Sequence, residues 1–290
     1  MTTPKLPKLP LRGGTSQLLI GAPGTGKSEY AASAAKYGLK VLLLAFRPKE
    51  IDSAGYMKYG INLDAELFHD EGWMPTLGEY EAGAFIRLLK RLRELQKDDT
   101  YDVIILDPIT DVGDLILHQI LSIEEAGSPS ELEGGGAIRA YGDLKRKWSE
   151  FLKAATYLCH APKPKHVIAC VHAKPVQEEG IKLKGQAPKA TSDKKAQGVQ
   201  YFGDVLADLE GGIKYGLGGE FQLQLFTQFT SDKVNTGTKT KPVYETQEGW
   251  SVLVKPDKDR FAKVALGYLE DQILPNDFGD VLTAIAKSYE

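Results

Sequence analysis

The chain has 290 residues, of which 42% are hydrophobic and 26% are charged, proportions typical of one or two globular domains. Its 36 basic and 39 acidic residues give a net charge of -3, so any nucleic-acid surface must come from local clusters rather than a global basic field. With two cysteines, no secretory signal pattern and no apolar run of about 18 residues, we expect a cytoplasmic protein without a disulfide framework or a membrane span.

The chain begins with a short basic segment. Residues 1–14 are rich in Pro, Lys and Gly, and Lys5, Lys8 and Arg12 precede the first acidic residue, Glu29. We predict a flexible tail over 1–14, either solvated or in contact with DNA, followed by a single domain over 15–290.

Short apolar runs then alternate with helical patterns. Runs of strand length lie at 16–20, 40–46, 103–106 and 166–171, and apolar residues have helical spacing at 27–37, 78–96 and 138–158. Apolar runs without alternation are typical of parallel strands that are covered on both faces. We therefore predict an α/β fold with a mostly parallel sheet, helices on both faces and right-handed crossovers.

The pattern changes beyond residue 200. Residues 221–229 alternate between apolar and polar side chains, which predicts a strand with one buried face, and 243–245 and 251–254 have the composition of short strands. We predict that these segments extend the sheet as antiparallel edge strands. Helices are expected at 261–270 and 279–289.

Two polar segments are long enough to be functional or disordered loops. Residues 122–136 carry four glutamates and four glycines, and residues 177–200 are polar with several lysines.

One motif is specific for chemistry. It follows the first predicted strand, precedes an Ala-rich helix, matches G-x-x-x-x-G-K-[ST] in full, and consists of Gly21, Ala22, Pro23, Gly24, Thr25, Gly26, Lys27 and Ser28. Glycines let the backbone wrap around phosphate oxygens, and the amides of the loop and of the helix N-terminus supply positive potential there. We predict an ATP site in which Lys27 reaches the β- and γ-phosphates and Ser28 binds Mg²⁺.

A second element is the apolar run that ends at Asp107. A carboxylate at the end of a buried strand lies where ligands bind in open parallel sheets, and Mg²⁺ prefers oxygen ligands. We predict that Asp107 holds the metal together with Ser28; the alternative is a carboxylate that only caps the strand.

ATP hydrolysis also needs a group that orients water. The residue after Asp107 is Pro108, so a glutamate is missing at that position. Glu50, which follows the second predicted strand, is the nearest candidate, although it fits an ordinary surface position equally well. Asp111 is a weaker alternative.

Two further positions are candidate catalytic residues. His172 ends the fourth predicted strand, where a polar side chain can sense the γ-phosphate; a structural histidine is the alternative. Lys255, Lys258, Arg260 and Lys263 form a basic cluster from which Arg260 or Lys258 is a candidate finger that stabilises transferred-phosphate charge, in cis or from a neighbouring subunit. A solvated turn explains the same cluster.

Four motifs together resemble a known family. They are GAPGTGKS at 21–28, DVIILDP at 102–108, VIACVHA at 167–173 and KPDKDRF at 255–261. In order and spacing they are similar to phage nucleotide-binding proteins of the AAA/RecA-like P-loop group, including the ATP-dependent single-strand annealing proteins of the Sak class. The resemblance implies a RecA-like core, ATP and Mg²⁺ binding, a homo-oligomeric ring or filament, and the cytoplasm of a host cell as its location.

The resemblance also implies a partner, single-stranded DNA, and a role in phage DNA recombination or annealing. The segment 177–200 lies where RecA-like proteins place DNA-facing loops, and its lysines suit salt-sensitive phosphate contacts. The first loop, 122–136, is acidic, which suits DNA less well. Two alternatives stay open: a P-loop kinase, and an ATPase in which nucleotide switches binding of a protein partner, with a helicase or packaging motor as a variant.

Overall fold

We describe the fold from a computed structural model. It describes residues 4–7, 13–60, 63–172, 220–235, 244–254, 263–264 and 273–289.

A mostly parallel sheet forms the centre of the molecule. Its strands are β1 (Ser16–Gly21), β2 (Val41–Ala45), β3 (Leu63–Leu67), β6 (Val103–Asp107), β7 (His166–His172), β8 (Leu223–Asn235), β9 (Tyr244–Leu253), β10 (Lys263–Val264) and β11 (Ile273–Pro275). Two further strands, β4 (Trp73–Met74) and β5 (Glu79–Tyr80), pair with each other in a separate hairpin. The order across the sheet is β11-β9-β8-β1-β7-β6-β2-β3, with β10 also paired to β8. The six strands from β8 to β3 are parallel, whereas β9, β10 and β11 pair antiparallel at one side.

Helices cover both faces of this sheet. They are α1 (Lys27–Ala32), α2 (Pro48–Ile51), α3 (Ala54–Met57), α4 (Ala84–Leu95), α5 (Val112–Leu121), α6 (Gly136–Tyr157) and α7 (Phe278–Lys287). A 3₁₀ turn, Ser33–Tyr37, continues α1.

Two hydrophobic layers explain why the strands are apolar throughout. In β2, Leu42 and Leu44 face a core built with α4, α5 and α6, whereas Val41, Leu43 and Ala45 face a second core built with α1, α3 and α7. Because side chains of a strand alternate between the two faces, a strand buried on both faces contains apolar residues at every position. The predicted α/β fold of RecA-like type is confirmed.

The helix predicted over 78–96 begins later than expected. Residues Glu79–Tyr80 form β5, and α4 starts at Ala84. The carboxylate of Asp70 explains the start, because its Oδ1 accepts hydrogen bonds from the amides of Gly83 (2.8 Å) and Ala84 (2.7 Å). These amides belong to the unpaired N–H groups that every helix start leaves.

The region after residue 220 differs from the prediction in three ways. Strand β8 lies inside the sheet and parallel to β1, so its alternation does not mark an exposed face, and Gln224 is only 2% exposed. The two short strands predicted at 243–245 and 251–254 belong to one strand, β9. Within the predicted helix 261–270, Lys263–Val264 is strand β10, held by backbone pairing with β8; the rest of that range lies outside the described residues.

Packing begins within the predicted tail. Leu6 lies against the second core, and the amide of Gly14 donates to the carbonyl of Cys159 at 3.0 Å.

The predicted loop 122–136 contains two 3₁₀ turns, Ser122–Glu124 and Pro129–Glu131, and its Ala126 is buried. The second predicted loop, 177–200, lies outside the described residues.

In the part of the chain that the structure describes, no helix has the length and apolar character needed to cross a membrane.

Candidate functional site

A tight turn joins β1 to α1 and forms the phosphate loop. Gly26 has a φ of 87°, a left-handed conformation that favours glycine, and the amide of Tyr30 donates to its carbonyl at 2.9 Å to start the helix. Thr25 ties the loop together, because its hydroxyl donates to the Ala22 carbonyl and also meets Thr227 Oγ1, both at 2.8 Å. The local sequence therefore produces the predicted turn in the predicted place.

Lys27 is folded back onto this loop. Its ammonium donates to the carbonyls of Gly21 (2.8 Å) and Ala22 (2.9 Å), and the side chain is buried. Burial lowers the pKa of Lys27, while the nearby carboxylates of Asp107 and Glu50 act in the opposite direction. The ammonium therefore lies at the loop with bonds to neutral acceptors, which an anionic phosphate oxygen can replace with a stronger charge-assisted bond.

Asp107 faces α1 from the end of β6. Its Oδ2 accepts hydrogen bonds from Ser28 Oγ (3.3 Å) and from the hydroxyl of Tyr56 (2.5 Å). Burial, followed by the charge of Glu50, raises the pKa of Asp107 to about 6, although Tyr56, Lys27 and Ser28 oppose the shift. A serine hydroxyl and a buried, poorly compensated carboxylate are hard oxygen donors, so Ser28 and Asp107 fit the donor set that Mg²⁺ prefers.

Glu50 lies in α2, directly after β2. The glutamate lines a cavity of about 440 Å³ that it shares with Lys27, Ser28 and Asp107, and its side chain is 13% exposed. The structure thus brings the first candidate for the water-orienting group to the phosphate loop. Asp111, the weaker candidate, is engaged elsewhere: Arg47 donates to both of its carboxylate oxygens, from Nε to Oδ2 and from Nη2 to Oδ1.

His172 lines the same cavity. It is the last residue of β7 and pairs in register with Gly21 of β1. Burial, together with the positive charges of Lys27, Arg47 and Lys49, lowers the pKa of His172 to about 4, so the imidazole is neutral at pH 7. Its buried Nδ1 has no hydrogen-bond partner among the described residues. Arg260, with the rest of its basic cluster from 255 to 262, lies outside the described residues.

Three side chains of this site were missed by the sequence analysis. Tyr56 reaches Asp107 from α3, Trp250 Nε1 donates to the Gly24 carbonyl (3.0 Å) from β9, and Asn276 Nδ2 donates to the Gly26 carbonyl (2.9 Å). No motif in the sequence marks them, because each reaches the loop only through packing of distant segments.

A larger hollow of about 750 Å³ lies beyond β3. It is lined by His69, Asp70, Glu81 and Arg87, among others, and contains no residue of the phosphate loop. The smaller cavity, which holds the motif residues, is therefore the candidate active site.

Comparisons with known proteins agree with this geometry. The family model described as "AAA domain" matches residues 14–216. The chain belongs to the AAA domain family. This family agrees with the P-loop that the motif predicted at residues 21–28.

Two solved structures resemble the fold at low identity. A prototypical ATPase from the type III secretion system of pathogenic bacteria is 13% identical with a TM-score of 0.40, over 74% of this chain and 52% of that one. The assembled ATPase EscN from the enteropathogenic E. coli type III secretion system is 12% identical with a TM-score of 0.40, over 74% and 43%. This chain thus spans about half the length of these proteins or less, and at this distance neither likeness indicates what it acts on.

A sequence search found no match among curated proteins. Membership of the single-strand annealing group and binding of DNA therefore stay predictions.

Proposed function

We propose that this AAA domain hydrolyses ATP with Mg²⁺ at the cavity beside the phosphate loop. One observation carries the proposal: Lys27 and Ser28 of α1, Glu50 of α2 and Asp107 of β6 come from three separate elements and line a single cavity. Phosphate binding, metal binding and orientation of water require these four kinds of side chain close together.

The phosphate-binding roles follow from the contacts that Lys27 and Ser28 make at the phosphate loop. Lys27 exchanges its bonds to the Gly21 and Ala22 carbonyls for bonds to β- and γ-phosphate oxygens. Ser28 and Asp107 hold Mg²⁺, and the metal, when bound, neutralises charge on the same phosphate oxygens. The amides at the start of α1 contribute further positive potential.

The remaining roles concern the attacking water and the transferred charge. Glu50 orients the water by accepting one of its hydrogen bonds. His172 is neutral, so it can donate to a γ-phosphate oxygen from one ring nitrogen without adding a buried charge. Arg260 is the proposed finger, and the assignment rests on the sequence alone.

Variants of Lys27 and Glu50 test the proposal. Lys27→Ala should reduce ATP turnover to background and weaken ATP binding, because the phosphates lose their buried cation. Glu50→Gln should bind ATP with wild-type affinity and hydrolyse it at least about 100-fold more slowly, because an amide is a poor base. Both quantities are measured with purified protein, turnover by phosphate release and binding by calorimetry.

Matched controls separate these effects from loss of fold. Lys90→Ala and Glu79→Gln remove the same groups from exposed positions of α4 and β5, away from the cavity, and should leave turnover unchanged. Wild-type turnover in Lys27→Ala would refute the site, and a wild-type rate in Glu50→Gln would remove Glu50 from the mechanism.

For the partner, we propose single-stranded DNA bound by a homo-oligomer. The support is the resemblance of the motifs to annealing proteins and a lysine-rich segment, whose lysines are Lys182, Lys184, Lys189, Lys194 and Lys195. The test is ATP turnover with and without single-stranded DNA, at low salt and at about 200 mM salt, since phosphate contacts weaken steeply over that range. Stimulation that salt abolishes would support the proposal, whereas turnover that ignores DNA at low salt would favour a kinase or a protein-partner switch.

A further inference from the structure

A short helix that carries no recognised motif packs directly on the start of α1. In α3, a Cβ placed on Gly55 would lie 2.8 Å from the amide nitrogen of Glu29 and 3.0 Å from the Cβ of Ser28. Contacts this short show that the backbone of α3 approaches Ser28 as closely as a glycine allows. The helix is therefore fixed in position relative to the hydroxyl that the motif supplies.

The next residue of α3, Tyr56, reaches across to the carboxylate of Asp107. Its side chain is fully buried, and its hydroxyl donates to Asp107 Oδ2 at 2.5 Å, the distance of a strong charge-assisted bond. The same oxygen accepts the bond from Ser28 Oγ at 3.3 Å. Two hydroxyls from two helices thus converge on one carboxylate oxygen.

We propose that Tyr56 is a positioning residue for the metal-binding half of the site. Its hydroxyl fixes the rotation of the Asp107 carboxylate, so that Oδ2 stays directed at Ser28 and α3 and the carboxylate keeps one orientation in which it would hold the metal. Because water does not reach the buried ring, no solvent molecule can replace the hydroxyl in this role. Groups that orient a metal ligand in this way typically change metal affinity or activity by about 10- to 100-fold when they are removed.

Gly55 and Tyr56 act together in this arrangement. The glycine sets the distance between α3 and α1, and the tyrosine uses that distance to reach Asp107. The inference rests on the proposed Mg²⁺-dependent function, and it adds to that function a residue outside all four motifs.

The test is a Mg²⁺ titration of nucleotide binding. Binding of a fluorescent ADP is measured in EDTA and then with increasing Mg²⁺, for the wild type and for Tyr56→Phe. We expect the Mg²⁺ concentration at half effect to rise by about 10-fold in the variant. Binding in EDTA should be nearly unchanged, since the phosphate loop and Lys27 are intact. A merely structural role would weaken both measurements alike.

Tyr30→Phe is the matched control. Tyr30 is also fully buried, and its hydroxyl donates to Gln17 Oε1 at 2.7 Å, away from Asp107. Its Mg²⁺ titration should follow that of the wild type. If Tyr56→Phe titrates like the wild type, or if Tyr30→Phe shifts equally, the proposal is wrong.

A second variant covers the case in which Tyr56→Phe does not fold. Gly55→Ala keeps the tyrosine but forces α3 away from Ser28, so it should raise the Mg²⁺ requirement as well, and an unchanged titration would overturn the proposal. Failure of the underlying function looks different, because the wild type itself would then bind no ADP at any Mg²⁺ concentration.

Discussion

At the scale of single residues, the site contains a carboxylate that the fold does not favour. Asp107 is 2% exposed, and burial raises its pKa to about 6 from an ordinary value of 3.8. Two hydroxyls and the ammonium of Lys27 compensate its charge only in part. A group of this kind destabilises the empty protein and becomes favourable when a cation arrives, which is a common feature of functional sites.

Replacing this carboxylate should therefore stabilise the fold. We expect Asp107→Asn to raise the free energy of unfolding by about 1–3 kcal/mol at pH 7, since a shift of one pKa unit corresponds to about 1.4 kcal/mol. The folded-state pKa lies above the unfolded one, so the wild type gains stability as the pH falls from 6 towards 4, and the difference between the two proteins should shrink there. Urea unfolding without metal or nucleotide measures both effects.

Asp70 provides the opposite case as a control. Although burial alone would raise its pKa, hydrogen bonds from His118 and from the amides of Ala84 and Gly83 hold the pKa of Asp70 below its ordinary value. Asp70→Asn should therefore lower stability at pH 7. Equal losses of stability in both variants would show that burial of the Asp107 carboxylate does not destabilise the folded protein.

At the scale of elements, the phosphate loop is completed by strands that follow it by more than 200 residues. Trp250 of β9 donates to the Gly24 carbonyl across a sequence separation of 226 residues. Its ring also lies against Gly26, where an added Cβ would be 2.8 Å from Trp250 Cγ. The loop that the motif specifies is thus held in shape by the antiparallel side of the sheet.

Removing this support should weaken nucleotide binding. In Trp250→Ala the Gly24 carbonyl loses its donor and the loop loses its covering ring, so we expect the Kd for ADP with Mg²⁺ to rise about fivefold, the equivalent of one hydrogen bond of about 1 kcal/mol. Calorimetry measures the change. Phe229→Ala is the control, because Phe229 contacts the Trp250 ring at 6.4 Å between centroids but does not line the cavity. Unchanged affinity in Trp250→Ala would mean that the loop keeps its shape without β9.

At the scale of the whole molecule, the sequence predicts what is encoded locally. The turn at 21–28 and the strand ending at Asp107 depend on glycine spacing and on uninterrupted apolar runs, and both occur where they were predicted. The bond between Tyr56 and Asp107 spans 51 residues and depends on how α3 packs, so no local pattern signals it. Strand β8 was placed wrongly for a related reason, since alternation along a strand does not reveal which neighbours will cover it.

A partly buried histidine links two segments of the chain that are distant in sequence. His166 begins β7, its Nδ1 accepts a hydrogen bond from the amide of Thr15 at 3.1 Å, and its ring packs edge-on against Phe278 of α7. The N-terminal approach to β1 and the last described helix therefore meet at one imidazole. Burial lowers the pKa of His166 to about 4, although Asp102 partly opposes the shift.

This histidine predicts how the whole molecule responds to acid. Its pKa is lower in the folded state than the 6.5 of an unfolded chain, so its contribution to stability is fully present above pH 6.5 and is lost as the pH falls towards 4. Within that window each such group removes up to about 1.4 kcal/mol per pH unit. His166→Gln keeps an acceptor for the Thr15 amide but does not titrate, so its unfolding free energy should fall less steeply between pH 6.5 and 4. Urea unfolding across this range measures both slopes, and parallel curves for the two proteins would contradict the assignment of this acid sensitivity to His166.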